Sequence, residues 1–589
     1  MMVKLKIDNF EVEVEAGTSI LEAARKIQID IPTLCKHPDV DPSAGCGMCI
    51  VKAGGRIMRS CCTPVSEGME IVTNDDDLRE IRKTVLELIL SNHPNDCLKC
   101  ARSGQCELQE MAMQLGLDRD EIRKTALPTE KDDTSGAIVL DPAKCIVCGR
   151  CVDICQNTQN VWALSYLHRG MATKVTGAND TKLGDSPCIK CGQCAVHCPT
   201  GAIVERDDTD KVWDLIKNKD NITVVQIAPA VRVALGEEFG CEFGDNVTGK
   251  IYAALRRLGF TKVFDTNFGA DLTIVEEATE FVKRFTEKDT LPMFTSCCPA
   301  WVDYIEKYHP EDLPHLSSCK SPHQMLGAVA KTYYAQKIGV DPAKIKVVSV
   351  MPCTAKKWEI ERNETMSSSG YKDVDVAITT RELAKMIRQT NVNFKALKEE
   401  EADSPLGEYS GAATIFGVTG GVMTAALRTA YFYITGQELG TLNFQAIEGL
   451  EAVKAAEVDI NGTKVRIAVV NGVGNVEEVL DQIKAAQEAG TELPFHFVEV
   501  MACPGGCIAG GGQPKVMGQR FAKPWGITNE IRRERSKGLN TEDAAAKNRL
   551  SHKNESIKQM YAEYFGEPGG EKAHHLLHTK YEARPLYKK

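Results

Sequence analysis

Two runs decide the fold: Cys145-Ile146-Val147-Cys148-Gly149-Arg150-Cys151-Val152-Asp153-Ile154-Cys155, and Cys188-Ile189-Lys190-Cys191-Gly192-Gln193-Cys194-Ala195-Val196-His197-Cys198-Pro199. They are the one internal repeat in the chain. Three closely spaced thiolates cover one face of an iron–sulfur cubane, and a distant fourth closes it. The spacing therefore predicts that Cys145, Cys148, Cys151 and Cys198 hold one [4Fe–4S] cluster. Cys188, Cys191, Cys194 and Cys155 hold the other, each run lending its last cysteine across. A pair of zinc sites is the plainer alternative, but zinc favours two separated cysteine pairs.

Outward from this block, the bulk numbers set the class. A chain of 589 residues is too long for one core, so several domains are expected. Its net charge of -10 argues against nucleic-acid binding, which needs clustered Lys and Arg; an acidic surface suits docking of redox partners. No run reaches the roughly 18 apolar residues of a membrane helix. Residues Met1 to Ile7 alternate like a strand and carry no export signal, so a cytoplasmic location is expected, with no membrane or nucleic-acid partner. In that compartment thiols stay reduced, and the 23 cysteines read as metal ligands rather than disulfides.

Strands are expected at Val3–Ile7 and Glu11–Val14, with helices over Ser19–Ile27 and Arg79–Leu90. Cys35, Cys46-x-x-Cys49 and Cys61 resemble a plant-type [2Fe–2S] ferredoxin loop with a longer first gap. Ser60-Cys61-x-Thr63-Pro64 resembles the closing motif of the ferredoxin-like domain of respiratory complex I, which favours Cys61 over its neighbour Cys62; the choice between them stays open. His93, Cys97, Cys100 and Cys106 form a one-histidine, three-cysteine set that could hold zinc. The run HPNDCLKCARSGQCELQ is, however, similar to the His-ligated [4Fe–4S] segment of complex I and its hydrogenase relatives. Residues 124–137 read as a polar linker.

Beyond residue 210, strand-like runs alternate with amphipathic helices, and three of them end in cysteine motifs: LPMFTSCC, KVVSVMPC and FHFVEVMAC. In open α/β sheets, ligands gather beyond the carboxyl ends of strands. The motifs are Thr295-Ser296-Cys297-Cys298-Pro299-Ala300-Trp301, Met351-Pro352-Cys353-Thr354-Ala355-Lys356-Lys357 and Met501-Ala502-Cys503-Pro504-Gly505-Gly506-Cys507. They are too far apart for a local cluster loop and must converge from different strand ends. In order and nearly residue for residue, they resemble the signature of the [FeFe]-hydrogenases. The resemblance extends over essentially the whole chain, to AHHLLHTKY at the end.

That resemblance implies reversible oxidation of hydrogen to protons and electrons at an H-cluster, a [4Fe–4S] cubane joined by a thiolate to a diiron unit bearing CO, cyanide and azadithiolate. It implies that Cys298, Cys353, Cys503 and Cys507 hold the cubane, and that Cys507 bridges to the diiron. Lys356 should donate to a cyanide, with Ala228, Pro229 and Ala230 at the other. Met351, Phe416 and Met501 should wall the diiron; without the motif each would read as plain core. Cys297 would pass protons onward through Glu277, Ser317, Glu280 and Arg284. The i,i+3 and i,i+4 spacings put Glu277, Glu280 and Arg284 on one helical face, which in isolation would read as a solvated charged face. His323 either tunes the cubane or does nothing, and Cys241 and Cys319 are expected to be free buried thiols.

The fold class expected is multidomain α+β and α/β. A β-grasp [2Fe–2S] module spans 1–78, a His/Cys₃ [4Fe–4S] module 79–123 and a two-cluster ferredoxin domain 138–209. An α/β H-cluster domain spans 210–523. A helical, small-subunit-like segment at 524–589 carries helix signals from Thr541 to Phe565. The implied cofactors are the H-cluster, three accessory [4Fe–4S] clusters and one [2Fe–2S] cluster, in an anaerobic enzyme. A complex-I-like or formate-dehydrogenase-like electron-transfer subunit would share the first 209 residues but would not need the three later motifs together. A cluster-assembly relative would lack Cys297 and the Lys356 motif. No well-placed nucleotide fingerprint is present. The amino-terminal resemblance implies partners: an NAD(P)-binding flavoprotein subunit, a small [2Fe–2S] subunit and ferredoxin, in an electron-bifurcating complex. A stand-alone ferredoxin-dependent enzyme is the alternative.

Overall fold

The computed structural model describes residues 1–117, 129–440, 445–447, 450–515 and 526–588. Part of the expected linker (124–128) and the expected boundary at 523/524 lie outside the described residues.

At the amino terminus, Met2–Ile7 and Phe10–Glu15 alternate buried and exposed side chains and pair as a hairpin. Met2–Ile7 also pairs in parallel with Glu70–Val72, which joins Ile50–Ala53 and Arg56–Arg59 in a five-stranded sheet. Helix Ile20–Lys26 starts at Ser19 with a reciprocal Ser19/Glu22 capping box and buries Ile20, Leu21, Ala23 and Ala24. This mixed sheet with one helix is a β-grasp. Helix Asp76–Ser91, capped by Asp75, leads out of it.

The two cysteine runs fold as a repeat. Val147 and Lys190 occupy the left-handed region (φ 54 and 60), as do Gly149 and Gly192 (φ 85 and 75). Each glycine then starts a short helix, Arg150–Asp153 and Gln193–His197. Strands Ile138–Leu140 and Ile203–Glu205 pair antiparallel beneath them. The polar stretch before this block is not a loose linker where it is described. Asp132 exchanges both backbone hydrogen bonds with Leu140, its carboxylate accepts from Leu183 N at 2.7 Å, and Thr134 Oγ1 accepts from Gly184 N at 2.9 Å. Short polar side chains there satisfy backbone donors, which polarity alone does not reveal.

Two sheets make the α/β region. One is fully parallel, in the order Lys262–Asp265, Ile222–Ile227, Ile345–Met351, Val376–Thr379. In the other, Met293–Phe294, Phe497–Met501 and Thr463–Asn471 run parallel, and Leu450–Ile460 and Gln445–Ile447 extend it antiparallel. Near-continuous apolar runs such as ITVVQI and IKVVSVM are buried because helices cover both faces. The long helix Thr266–Glu287 packs on Pro322–Val329 and Gly421–Thr435.

The carboxy-terminal segment is helical, but not as one run. Helix Asn529–Ala545 ends before the expected span does, and Glu555–Met560 continues through Tyr561–Phe565. Between them Asn548 O accepts from Gly411 N, and Arg549 returns to Asp543 at 2.6 Å. Asn554 then caps the next helix. Tertiary partners for residues 546–554 override a helical sequence pattern.

Candidate active site

Four strand ends, two from each sheet, meet at one cavity. The first sheet delivers Ala228-Pro229-Ala230 after Ile227 and Pro352-Cys353 after Met351. The second delivers Cys297-Cys298 just after Phe294 and Ala502-Cys503 after Met501. Gly506 and Cys507 close the ring, Lys356 and His323 stand on one side, and Phe416 and Met501 on another. The empty space between these residues, counting the part open to solvent, is about 750 Å³. The backbone is shaped for close approach: Gly506 lies at φ 90, and a Cβ there would stand 2.8 Å from Thr419 N. All twelve cofactor-binding and cubane-region candidates converge here: Ala228, Pro229, Ala230, Cys297, Cys298, Met351, Cys353, Lys356, Phe416, Met501, Cys503 and Cys507.

The thiols in this cavity form no disulfide. Burial, followed by neighbouring cysteines, raises the Cys503 and Cys507 thiols well above the ordinary value and Cys353 to about 12. Such a set is stable as thiolates only when bound to cations. The donor set therefore fits an iron–sulfur group. Lys356 Nζ donates to Cys297 O at 3.1 Å and pairs with Glu359 at 2.7 Å. Glu359 also meets His323 Nε2 at 2.7 Å, and His323 Nδ1 meets Ser349 Oγ at 3.1 Å. His323 is thus in the cavity wall and bound to the group that positions Lys356. Met351, Phe416 and Met501 line the cavity and also belong to the apolar core.

The charged face of helix Thr266–Glu287 is buried at Glu277 and only partly exposed at Glu280 and Arg284. Glu277 is buried, with neither carboxylate oxygen hydrogen-bonded. Burial first, and the charge of Glu280 second, push its carboxyl up to about 8. Ser317 Oγ donates to Glu280 Oε2 at 3.0 Å, and Arg284 Nη2 donates to Glu280 Oε1 at 2.7 Å. Arg284 also binds the carbonyls of Pro314, His315 and Leu316. Cys297, whose thiol is pushed up by burial and by Glu277, lies on the cavity side of the same series.

The cluster loops are also assembled. Cys145, Cys148, Cys151 and Cys198 line one space of about 340 Å³. Cys151 feels the charges of Cys148, Cys145 and Cys198 and then of Cys194, while Cys194 feels Cys188 and Cys155 and then Cys198, an order in keeping with crossed sets. Val147 N and Lys190 N donate to Cys145 Sγ (3.3 Å) and Cys188 Sγ (3.4 Å), the same bond in both halves of the repeat. Cys46 and Cys61 both act on the Cys35 thiol, and Cys61 acts on that of Cys49, so the four stand together. Cys62, by contrast, is exposed and turns to Arg59 O. His93 is buried just beyond helix Asp76–Ser91, Cys97 and Cys100 flank the next turn, and Cys106 feels the charge of Cys100. Cys319 is buried, as expected; Cys241 is only half-buried, packed beside Gly236.

Two groups near the site were not legible in the sequence. Glu499, inside strand Phe497–Met501, is fully buried. Its carboxylate accepts from Gly420 N and Met423 N, both at 2.7 Å, at the start of helix Gly421–Thr435. Burial holds its carboxyl up at about 7. An acid in the apolar run FVEVM was the available signal. The other is Gln513, which donates to Ala230 O at 2.8 Å.

The profile for the iron only hydrogenase large subunit, C-terminal domain, matches residues 221–511, and that for the iron hydrogenase small subunit matches 529–584. Residues 1–76 match a 2Fe-2S iron-sulfur cluster binding domain, 82–121 an NADH-ubiquinone oxidoreductase-G iron-sulfur binding region, and 144–202 a 4Fe-4S dicluster domain. The chain is 45% identical to the NADP-reducing hydrogenase subunit HndD of Solidesulfovibrio fructosivorans, over 99% of each chain. It is 41% identical to Iron hydrogenase 1 of Clostridium pasteurianum, over 99% of this chain and 100% of that one. An apo [FeFe]-hydrogenase structure from Chlamydomonas reinhardtii superposes with a TM-score of 0.56 at 37% identity, covering 64% of this chain and 99% of that chain. No helix among the described residues is long and apolar enough to cross a membrane. With motifs, cavity and full-length similarity in agreement, the chain belongs to the [FeFe]-hydrogenases, as a catalytic subunit with accessory iron–sulfur domains.

Proposed function

We propose that this subunit interconverts hydrogen with protons and electrons inside a cytoplasmic, NAD(P)-linked complex, exchanging electrons with a flavoprotein subunit, a small [2Fe–2S] subunit and ferredoxin by bifurcation. The observation that carries it is the match to HndD, named as a subunit of an NADP-reducing hydrogenase, over 99% of both chains. The NADH-ubiquinone oxidoreductase-G region at 82–121 supports the same reading. The similarity to Iron hydrogenase 1 over the same length favours the second reading, a stand-alone ferredoxin-dependent enzyme.

In this reading Cys298, Cys353, Cys503 and Cys507 would hold the cubane of the H-cluster, and Cys507 would also anchor the diiron unit. When bound, that group supplies the making and breaking of the H–H bond. The chain holds it and moves protons and electrons. Lys356, fixed by Glu359, presents an ammonium to the anionic ligands, and Ala228, Pro229 and Ala230 offer a tight backbone wall. Met351, Phe416 and Met501 exclude water. Cys297 Sγ takes and returns the proton, and Glu277, Ser317, Glu280 and Arg284 carry it outward. A carboxyl held near 8 changes protonation state close to neutral pH, as a relay requires.

The module limits 1–78, 79–123, 138–209, 210–523 and 524–589 follow from the cluster sets. Contacts between modules favour a forked wire. Ser43, in the [2Fe–2S] loop, donates to Cys148 O at 3.0 Å, and Gly201, beside Cys198, packs against Cys100 Sγ. Both branches thus reach the first cubane, and Cys191 feels Cys155 while Cys503 feels Cys191 on the way to the active site. Purified alone under anaerobic conditions, the subunit should reduce artificial dyes with hydrogen but not NAD⁺ or NADP⁺. Reconstitution with the flavoprotein subunits should confer pyridine-nucleotide reduction coupled to ferredoxin. A native preparation that is monomeric and fully active with ferredoxin alone would overturn the reading in favour of the second.

A further inference from the structure

The outer end of the proton series meets the carboxy-terminal segment. Glu280, Cys319 and His578 each offer one donor atom, and these atoms all lie within 4.8 Å of one another. Cys319 Sγ stands 3.8 Å from Glu280 Oε2. The two other ligand candidates sit on backbones zipped together. Cys319 and His578 form a β-bridge, Lys320 N donates to Leu577 O at 2.8 Å, and Thr579 N donates to Ser318 O at 2.7 Å.

The imidazole is oriented as a ligand. Its Nε2 lies 3.0 Å from Glu276 Oε2, an oxygen that also accepts from Gly569 N at 2.8 Å, while Tyr561 donates to the other oxygen. That carboxylate calls for the proton on Nε2, which leaves the Nδ1 lone pair facing Ser318 Oγ at 2.8 Å. A buried carboxylate fixing the far nitrogen of a histidine is the usual outer partner of a metal-bound imidazole. The Ser318 hydroxyl has a second acceptor ready, Glu280 Oε1 at 3.2 Å. Glu280 keeps 15% of its side chain exposed.

We propose that Cys319 Sγ, His578 Nδ1 and a Glu280 carboxylate oxygen form a site for Zn²⁺ or a similar borderline divalent cation, and that its occupation stops turnover by taking Glu280 out of the proton series. One sulfur, one imidazole and one carboxylate are zinc donors, and the fourth position is left to water. The Cys319 thiol is pushed well up by burial and by Glu280, Glu277 and Glu276. A dication offsets those charges and displaces the thiol proton to solvent. The inhibitory half of the proposal rests on the relay reading of Glu280; the binding half does not.

The test uses the anaerobic holoenzyme with one equivalent of Zn²⁺. Zinc-edge X-ray absorption should show one sulfur at about 2.3 Å and nitrogen or oxygen at about 2.0–2.1 Å. Hydrogen evolution from a reduced dye should fall and return on adding a chelator. Cys319→Ala and His578→Asn should keep the metal-free rate while the inhibiting Zn²⁺ concentration rises at least roughly tenfold, the effect even an outer partner of a ligand can carry. Zinc surrounded by nitrogen and oxygen only, or inhibition unchanged in both variants, would overturn the site. Zinc bound through sulfur with turnover unaffected would uphold the site and overturn the relay role of Glu280.

Discussion

Cys297 adjoins a cubane ligand without being needed as one. Its thiol lies in the cavity wall and is pushed up by burial and then by the charge of Glu277. Replacing Cys297 with Ala should leave the cofactor assembled but slow hydrogen evolution by roughly a hundred- to ten-thousand-fold, the range for loss of a positioned proton-transfer group. Cys297→Asp should recover part of that, since a carboxylate also shuttles protons. Near-normal evolution by the Ala variant, measured with reduced dye, would remove Cys297 from the path. At the other end of the chain, the buried Cys61 faces Cys35 and Cys49 while Cys62 turns outward. Cys61→Ser should abolish or distort the [2Fe–2S] EPR signal, and Cys62→Ser should leave it intact; the reverse would shift the ligand register by one residue. Ligands of this kind were legible in the sequence because a cluster demands fixed spacings. Glu499 and the Glu359–His323 pair were not, because each depends on partners that only the fold brings near.

Among the elements, the cysteine runs show how a repeat in sequence becomes one in backbone. Gly149 and Gly192 take the same left-handed conformation, but their surroundings differ. A Cβ on Gly149 would meet the hydroxyl end of Tyr166, which can move, whereas on Gly192 it would come within 2.9 Å of the backbone Cα of Gly511. Either alanine pays about 1–2 kcal/mol for the left-handed residue. Gly192→Ala should additionally separate the second cubane loop from the active-site wall. Thermal unfolding and iron content should therefore fall more for Gly192→Ala than for Gly149→Ala, and equal effects would deny that packing its role. The strand runs were legible as apolar stretches ending in cysteine motifs. The break at residues 546–554 was not, since it is set by contacts with Gly411 and Asp543.

For the whole molecule, the modules are locked by buried polar contacts that no local pattern announces. Arg150, in the first cubane loop, donates to both oxygens of Glu107 at 2.7 and 2.8 Å and to Lys36 O at 3.1 Å, so it joins three modules. Arg532 of the carboxy-terminal segment reaches Asp39 in the [2Fe–2S] module. Such pairs span from 43 to 493 residues, which is why the order of modules was readable and their docking was not. The central claim is that the cavity between the two sheets holds a diiron group bearing CO and cyanide, anchored through Cys507. Infrared spectroscopy of the anaerobically matured, iron-replete protein tests it most directly. The account predicts sharp bands of bound CO and cyanide, lost in Cys507→Ser while the accessory-cluster EPR signals remain. An iron-replete, unmutated protein with no such bands would contradict it.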